Sequence, residues 1–252
     1  MKFTLITGAS SGIGAMYARL SAQAGQNIIL VSNQSQLLES VAGEIKADYG
    51  VEVRCIDIDL SAEGAAQHIY DTAKQWGEVD CLISNAGVLH CGQFKNTNAK
   101  YIDFITALHF TTPMKLCLLF GGDMVARREG KILIMSSMTA WTPFITVSYY
   151  AATKAYLKSF AQSLWYEFRP YGVTVTVVYP GAVDTPLYNL KEKPRKWLRR
   201  LGLMMSAERL AKSGIRALER RRRAVIPGLF SKIAVFACWL LPAHAILPIL
   251  KI

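Results

Sequence analysis

The sequence lacks the features that divide a chain into several domains or direct it out of the cell. Its 252 residues contain no linker, low-complexity tract or internal repeat, and one α/β domain can reach about 250 residues. The apolar run at the N-terminus stops at Gly8 and is too short for a secretory signal. We therefore expect a single domain that is not exported.

Paired cysteines are also missing. Five cysteines are present, an odd number, and no two of them stand in a Cys-x-x-Cys pair. This usage is typical of buried, reduced thiols in a cytoplasmic protein. We predict no disulfide framework and no metal site, and we expect the protein in the cytoplasm or at the cytoplasmic face of a membrane.

Acidic residues are scarce in one segment. Between Lys191 and Arg223 the chain has 13 Lys or Arg and three Glu, which gives this segment +10 of the total net charge of +11. Such an asymmetry predicts a local anionic partner, either nucleic acid or a membrane surface. No nucleic-acid-binding motif accompanies the charge, so we do not expect nucleic acid as the partner.

Short β-prone runs alternate with stretches of helical periodicity over most of the chain. The predicted strands are 2–6, 27–32, 51–57, 79–84, 131–136, 173–179 and 224–226, and the predicted helices are 15–25, 36–49, 62–76, 101–127 and 150–169. Strands separated by helices pair in parallel through right-handed crossovers. The sequence therefore predicts an α/β fold: a doubly wound parallel sheet of the Rossmann type, with about seven strands and helices on both faces.

A glycine-rich turn, Thr7-Gly8-Ala9-Ser10-Ser11-Gly12-Ile13-Gly14, follows the first predicted strand. Glycines in such a turn let backbone N–H groups approach a pyrophosphate at a helix N-terminus, where the helix dipole favours anions. Asp59 and Asn85-Ala86-Gly87 follow two other strands, and ligands of doubly wound sheets bind beyond the carboxyl ends of the strands. We expect these groups to line one crevice; the alternative is a glycine cluster that only forms a tight turn.

Tyr150 and Lys154 stand four residues apart in a predicted helix. At this spacing both side chains leave the same face of the helix, so a cation can lie beside the phenol. A neighbouring cation favours the phenolate form and makes a tyrosine usable as a general acid or base near neutral pH. Alone, the pattern is also that of an ordinary helix surface.

Together these motifs resemble those of the short-chain dehydrogenase/reductase family. The set, in chain order, is Thr7-Gly8-x-x-x-Gly12-x-Gly14, Asn85-Ala86-Gly87, Ser137 with Tyr150-x-x-x-Lys154, and Pro180-Gly181-x-Val183-x-Thr185. The N-terminal half is similar to reductases of long-chain ketoacyl, ketosphingoid and steroid ketones. The resemblance implies hydride transfer between a nicotinamide cofactor and an alcohol or carbonyl.

The resemblance also implies a role for each matching residue. Tyr150 would protonate the nascent alkoxide, Ser137 would hydrogen-bond the carbonyl oxygen, and Lys154 would hold the nicotinamide ribose and support Tyr150. Otherwise Ser137 is a strand-end serine and Lys154 a solvated helix lysine. The implied cofactor contacts are Gly8, Ser10, Ser11, Gly12, Ile13, Gly14, Asp59, Leu60, Asn85, Ala86, Gly87, Tyr150, Lys154, Pro180, Gly181, Val183 and Thr185.

His109 marks a departure from the family pattern. Alignment of Leu108-His109-Phe110-Thr111-Thr112-Pro113 places it where many members have an asparagine that helps to hold a water near the lysine. A histidine at this position is able to hold the same water or relay a proton. The alternative is a buried histidine whose ring is satisfied by a neighbouring backbone group.

No acidic residue follows the second predicted strand, where Ser32-Asn33-Gln34-Ser35 stand. An acid about 20 residues after the glycine turn binds the ribose hydroxyls of NAD. Without one, a 2′-phosphate meets no repulsion, and Ser32, Asn33 and Ser35 offer hydrogen-bond donors. No arginine is present there either. We predict NADP(H) in preference to NAD(H), with Ser32 and Asn33 as contacts.

The C-terminal part is basic and then apolar. We assign 1–228 to the dinucleotide-binding and catalytic domain, with 186–223 as a basic substrate-loop and helix insertion, and 229–252 to a hydrophobic tail. The run 233–250 has 18 residues without formal charge and contains Pro242 and Pro248, so an interfacial helix or bent hairpin fits better than a straight span. We predict peripheral membrane association through 191–252; otherwise the tail packs on its own domain or a partner subunit.

These observations predict an NADPH-dependent oxidoreductase that reduces a ketone, or oxidises the secondary alcohol, on a lipid-like substrate such as a 3-keto sphingoid base, ketoacyl chain or steroid. The alternative is a non-catalytic dinucleotide- or lipid-binding protein of the same fold at a membrane surface. The family also leads us to expect homo-oligomers.

Overall fold

A computed structural model describes residues 1–185 and 204–241 of the chain. Its main sheet contains seven strands: β1 (Lys2–Thr7), β2 (Asn27–Ser32), β3 (Val53–Asp57), β4 (Glu78–Ser84), β5 (Gly130–Met135), β6 (Val173–Val178) and β9 (Ala224–Val225). The strand order is β3-β2-β1-β4-β5-β6-β9, and every neighbouring pair is parallel. The predicted doubly wound parallel sheet is confirmed.

Helices cover both faces of this sheet. They are α1 (Gly12–Gln23), α2 (Ser35–Tyr49), α3 (Ala65–Trp76), α4 (Ala99–Thr106), α5 (Thr112–Arg127), α6 (Ser148–Phe168), α7 (Ala207–Glu219) and α8 (Leu229–Leu240). One core layer lies between the sheet and α3, α5 and α6, and the other between the sheet and α1, α2 and α7. Because the central strands are buried on both faces, they are nearly continuous apolar or β-branched runs; all six residues of β6 are buried.

The predicted helix 101–127 is not a single regular α-helix. It begins at Ala99, where the Asn98 side chain accepts a hydrogen bond from the Tyr101 N–H. The π-helical turn Ala107–Thr111 then separates α4 from α5. By length and composition the whole run Ala99–Arg127 is apolar enough to cross a membrane, but half of its apolar window is buried in the fold. Packing inside the fold therefore accounts for the hydrophobicity of this run.

Two short strands lie outside the main sheet. β7 (Ala182–Asp184) pairs in parallel with β8 (Met204–Ser206), a pairing that the sequence analysis did not predict. The basic insertion predicted at 186–223 is described from residue 204 onward, where it forms β8, α7 and the turn that leads to β9. The hydrophobic tail is described as far as Leu241. Residues 186–203 and 242–252 lie outside the described part.

Candidate active site

A cleft of about 270 Å³ opens at the carboxyl ends of the central strands. This is the position at which doubly wound sheets bind ligands, where the strand order reverses beside β1. Most of the predicted cofactor contacts line the cleft: Gly8, Ser10, Ser11, Gly12, Ile13, Ser32, Asn33, Asp59, Leu60, Asn85, Ala86, Gly87 and Thr185. The glycine turn and the ends of β2, β3 and β4 therefore do share one crevice.

The glycine turn has the shape of a phosphate cradle. Gly8 and Gly12 have positive φ values of 65° and 54°, a conformation that suits glycine. A Cβ atom on Gly14 would lie 2.0 Å from the Gly8 carbonyl oxygen, so only glycine allows α1 to approach β1 this closely. Ser11 makes no side-chain capping bond to α1. The first-turn N–H groups therefore suit an anion such as a dinucleotide pyrophosphate.

Hydrogen bonds fix the loop after β2. The Ser32 hydroxyl donates to Ser10 Oγ (3.0 Å), and the Ser10 hydroxyl donates to Gln34 Oε1 (2.7 Å). The Ser35 hydroxyl donates to the carboxylate of Asp57 at the end of β3. Of the three donors predicted for a 2′-phosphate, Ser32 and Ser35 thus use their protons within the protein, and Asn33 is the exposed one that lines the cleft.

The residues after β3 and β4 have structural contacts in addition to their place in the cleft. The amide of Asn85 donates to the Thr7 carbonyl oxygen (3.0 Å), while the backbone N–H groups of Asn85 and Ala86 donate to Thr7 Oγ1 (3.0 and 3.1 Å). Asp59 Oδ1 accepts from the backbone and hydroxyl of Ser61. The bonds from Asn85 and Ala86 to Thr7 hold the ends of β1 and β4 together beside the glycine turn.

Tyr150 and Lys154 lie on one face of α6, as their spacing predicts. Lys154 is buried, its Nζ lies 5.5 Å from the centroid of the Tyr150 ring, and it donates to the Met135 carbonyl oxygen at 3.0 Å. Burial lowers the pKa of Lys154 to about 8. Lys154 is therefore not a solvated helix lysine, but an ammonium group held below the phenol.

Ser137 lies at the carboxyl end of β5, next to this pair. Its hydroxyl oxygen accepts from the Thr139 N–H at 3.2 Å, an arrangement that leaves the hydroxyl proton for a substrate oxygen. The neighbouring Ser136 hydroxyl donates to the Lys154 carbonyl oxygen at 2.7 Å and so ties β5 to α6. The end of β5 and the start of α6 thus place a hydroxyl donor, a phenol and a cation in one region.

His109 lies in the π-helical turn and is 1% exposed. Its Nε2 accepts from the Val88 N–H at 2.9 Å, so Nδ1 carries the proton and donates to Thr153 Oγ1 at 3.1 Å. The Thr153 hydroxyl in turn donates to the Tyr150 carbonyl oxygen at 2.8 Å. Both ring nitrogens are engaged, as in a buried histidine that is satisfied by its neighbours. Burial and the nearby Lys154 charge lower the pKa of His109 well below its usual value.

Four of the predicted cofactor contacts line other surfaces than the main cleft. Tyr150 lines a small cavity together with Val147 and Tyr149. Pro180, Gly181 and Val183 surround a small cavity with Phe230 and Ser231 of α8. Gly14 packs against the turn itself rather than lining the cleft. Gly87, in contrast, lines the main cleft and also lies next to His109 and Lys154. A Cβ atom on Gly87 would lie 3.0 Å from His109 Nε2 and 3.6 Å from Lys154 Nζ. The cleft therefore reaches the predicted catalytic residues His109 and Lys154 at Gly87.

Comparison with known proteins identifies the family. The family model described as short chain dehydrogenase matches residues 2–196. The chain belongs to the short-chain dehydrogenase family. The match covers the glycine turn, Asn85–Gly87, Ser137, Tyr150, Lys154 and the Pro180-Gly181 motif, which confirms the resemblance inferred from these residues.

Relatives within the short-chain dehydrogenase family include enzymes named for steroids and for long acyl chains. The 17-beta-hydroxysteroid dehydrogenase type 3 of Mus musculus is 31% identical over 189 residues, which are 74% of this chain and 61% of that protein. The very-long-chain 3-oxoacyl-CoA reductase of Rattus norvegicus is 31% identical over 237 residues, 88% of this chain and 70% of that protein. This chain thus spans about three fifths of the length of the steroid dehydrogenase.

Solved structures of the family share the fold. A short-chain dehydrogenase from Sphingobium yanoikuyae in complex with NADPH superposes with a TM-score of 0.83 at 28% identity, covering 95% of this chain and 91% of that chain. A 7beta-hydroxysteroid dehydrogenase superposes with a TM-score of 0.91 at 23% identity, covering 99% and 96%. At 23% identity, the similarity to the 7beta-hydroxysteroid dehydrogenase shows a shared fold only.

Several residues at the site were not predicted from the sequence. Gln34, Ile58, Val88, Phe104 and Leu108 line the cleft, and Thr7, Met135 and Thr153 position its polar groups. Gln34 directly follows the predicted contacts, and Thr7 stands inside the quoted glycine motif, so adjacency would have found both. Phe104 and Leu108 come from an apolar helix in which no sequence pattern separates cleft residues from core residues.

Proposed function

We propose that this chain is an NADPH-dependent oxidoreductase that reduces a ketone, or oxidises the corresponding secondary alcohol, on a hydrophobic substrate. The observation that carries the proposal is the buried Lys154 ammonium 5.5 Å from the Tyr150 ring, in a short-chain dehydrogenase with a glycine cradle that fits a dinucleotide. A buried cation beside a phenol is costly for the fold and useful for proton transfer.

The residues of the chain have distinct parts in this reaction. The nicotinamide cofactor, when bound, supplies or accepts the hydride. Ser137 donates a hydrogen bond to the substrate oxygen and stabilises the negative charge that develops there. Tyr150 transfers its phenolic proton to that oxygen, and Lys154 stabilises the phenolate that remains. Lys154 lies next to Gly87 at the end of the cleft and would bind the ribose next to the nicotinamide.

The surroundings of Tyr150 support a hydrophobic substrate. Phe144, Val147 and Ala151 form a buried apolar cluster against which Leu89 and Tyr150 pack. Two relatives are named for steroid and very-long-chain 3-oxoacyl-CoA substrates. A lipid-like ketone such as a steroid, ketoacyl chain or 3-keto sphingoid base is the substrate class that these observations favour.

Preference for NADP(H) over NAD(H) is the second part of the proposal. It is supported by the absence of an acid at 32–35 and by the NADPH-bound relative from Sphingobium yanoikuyae. The engaged Ser32 and Ser35 hydroxyls leave the amide groups of Asn33 and Gln34 as the side-chain donors of that loop in the cleft. The absence of a carboxylate at residue 33 is expected to admit the 2′-phosphate, and the preference over NADH is expected to come from hydrogen bonds to that phosphate.

The reaction is tested with purified protein, NADPH and a panel of steroid, long-chain ketoacyl and ketosphingoid substrates. We expect cofactor oxidation with at least one ketone, and a loss of about 10²- to 10⁴-fold in kcat in Tyr150→Phe, because that change removes the proton donor. Tyr149→Phe is the matched control, since Tyr149 bonds to Thr106 and lies outside the proposed chemistry. Full activity in Tyr150→Phe would disprove the mechanism.

Cofactor preference is tested by the Kd values of NADPH and NADH. We expect NADPH to bind more tightly, and Asn33→Asp to weaken NADPH binding by about tenfold or more through repulsion of the 2′-phosphate. Asn33→Ala is the control that removes the donor without adding charge. Equal affinities for the two cofactors in the wild-type protein would contradict the proposed preference. Tight NADPH binding without turnover on the whole panel would instead favour a binding protein.

A further inference from the structure

Helix α8 presents an apolar face to solvent. Leu229, Ile233, Phe236 and Leu240 follow the i, i+4, i+7, i+11 pattern of one helical face, and each is between 59% and 74% exposed. We call these four residues the outer face of α8. Of the 14 large apolar side chains that are exposed in the described residues, seven lie in 229–241. Such a concentration marks an interaction surface rather than scattered surface hydrophobes.

The opposite face of α8 packs on the fold beside the active site. Ser231 and Val235 are buried, and a Cβ atom on Gly181 would lie 2.4 Å from Ser231 Oγ and 3.3 Å from Met138 Sδ. Met138 directly follows Ser137, and its N–H donates to the Pro180 carbonyl oxygen at 2.9 Å. Helix α8 therefore forms an outer wall next to the serine of the proposed mechanism.

A basic surface adjoins the start of α8. Arg209, Lys212 and Arg216 stand on one face of α7 at i, i+3, i+7 spacing; we call them the basic face of α7. They line a cavity of about 510 Å³ together with Pro227 and Gly228, the residues just before α8. Glu208 also lines it and pairs with Lys212. With three cations and one anion, the cavity keeps a net positive charge.

We propose that the outer face of α8 and the basic face of α7 form one docking surface for a bilayer containing anionic phospholipids. The apolar face would enter the interface while the basic face binds the headgroups. At about 1.5 Å per residue, the 12 residues of α8 extend only about 18 Å, too short for the roughly 30 Å hydrocarbon core, so the helix lies in the interface rather than across it.

Charge favours a bilayer over a second copy of the chain as the occupant. Isologous contact through this surface would bring the basic face of one copy close to the basic face of the other. An anionic lipid surface instead complements them. Residues 242–252, which follow α8 in the sequence, contain one charged residue, Lys251. The sequence next to the docking surface is therefore also compatible with lipid.

Vesicle sedimentation tests the apolar part of the surface. We expect the full-length protein to bind phosphatidylcholine–phosphatidylserine vesicles, and Ile233→Glu with Phe236→Glu to weaken binding by at least about tenfold, because two apolar anchors become charged. Leu118→Glu, at an equally exposed leucine on α5, is the matched control and should bind normally. A melting curve and NADPH binding establish that each variant is folded.

The basic part is tested separately. Arg209→Glu with Arg216→Glu should weaken binding to the mixed vesicles by about tenfold or more, and added salt should weaken wild-type binding in the same direction. Lys46→Glu with Lys100→Glu reverses two exposed cations elsewhere and is the control. Brominated phosphatidylcholine in the mixed vesicles should quench fluorescence that Trp239→Phe removes, because Trp239 flanks the outer face and is 73% exposed.

Three results would overturn the docking proposal. Wild-type protein that fails to bind mixed vesicles would do so, whatever its activity. Equal binding of the wild type and the Ile233→Glu, Phe236→Glu variant would show that the outer face is not involved. A wild-type dimer that the same variant converts to monomer, without vesicle binding, would identify a second copy as the occupant. None of these outcomes depends on turnover, so the docking and catalytic proposals can fail independently.

Discussion

At the scale of single residues, the site depends on an ammonium group kept away from water. Lys154 is 4% exposed and donates to a neutral acceptor, the Met135 carbonyl oxygen. Burial disfavours the charged form, and it therefore lowers the pKa of this lysine to about 8 from 10.5. A cation in this environment is easily deprotonated, and it acts strongly on the phenol beside it because few water molecules screen the charge.

The lowered pKa predicts how stability changes with pH. Between pH 8 and pH 10.5 the unfolded chain binds more protons at this lysine than the folded chain does, so its contribution to the free energy of unfolding rises with pH across that window. Relative to Lys154→Met, the wild-type protein should gain up to about 3 kcal/mol from pH 7 to pH 10.5. Urea unfolding of both proteins at several pH values measures the difference.

The comparison with Lys154→Met isolates the titration. The variant also loses the hydrogen bond to Met135, but this loss is the same at every pH and cancels in the slope. A flat difference for Lys154→Met would show that the buried lysine has the same pKa in both states.

At the scale of elements, the π-helical turn Ala107–Thr111 connects the cofactor side of the site to the catalytic helix. The hydrogen bonds run from the Val88 N–H to the His109 ring, from the ring to Thr153, and from Thr153 to the Tyr150 carbonyl oxygen. This series of hydrogen bonds thus joins the loop after β4, the π-helical turn and α6. We infer that His109 is a positioning residue for Tyr150, a role that its buried and fully engaged ring supports.

Substitution of His109 should separate positioning from proton relay. His109→Leu leaves the half-buried Val88 N–H without its acceptor, which should cost about 1 kcal/mol of stability and lower kcat more than it changes KM. His109→Asn restores an acceptor and should recover much of kcat. Urea unfolding and steady-state kinetics measure the two effects.

Two further measurements check the assignment of His109. Thr153→Val removes the hydroxyl that connects His109 to the Tyr150 carbonyl oxygen, and it should lower kcat. Thr153→Ser keeps a hydroxyl at this position and should retain kcat. Because the pKa of His109 lies well below its usual value, the ring stays neutral at physiological pH. A limb near pH 6.5 in the kcat profile that disappears in His109→Asn would contradict positioning and support a proton relay.

At the scale of the whole molecule, the parallel sheet could be predicted because its signals are local. A few consecutive residues are enough to predict each of its parts. Examples are the buried β-branched run 173–178 and the glycine turn at 8–14. The order of motifs then predicted which side chains meet at the carboxyl edge of the sheet. The cleft contains 13 of those residues because parallel strands end at the same edge.

Other parts depend on contacts between distant residues, which one sequence does not reveal. The π-helical turn exists where His109 meets Val88 and Thr153, and nothing in the apolar periodicity of 101–127 marks it. The Ser32 and Ser35 hydroxyls looked available in sequence, but Ser10 and Asp57 occupy them across neighbouring strands. The depth of Lys154 follows from packing of α6 against β5, which its spacing from Tyr150 does not specify.

The β7–β8 pair affects how the sequence of this protein can evolve. Its register joins Ala182 to Met204 and Asp184 to Ser206, so the two ends of the intervening segment are held together. A segment with fixed ends can gain, lose or exchange residues at small entropic cost. Selection can therefore change the length or sequence of this segment without redesigning the main sheet.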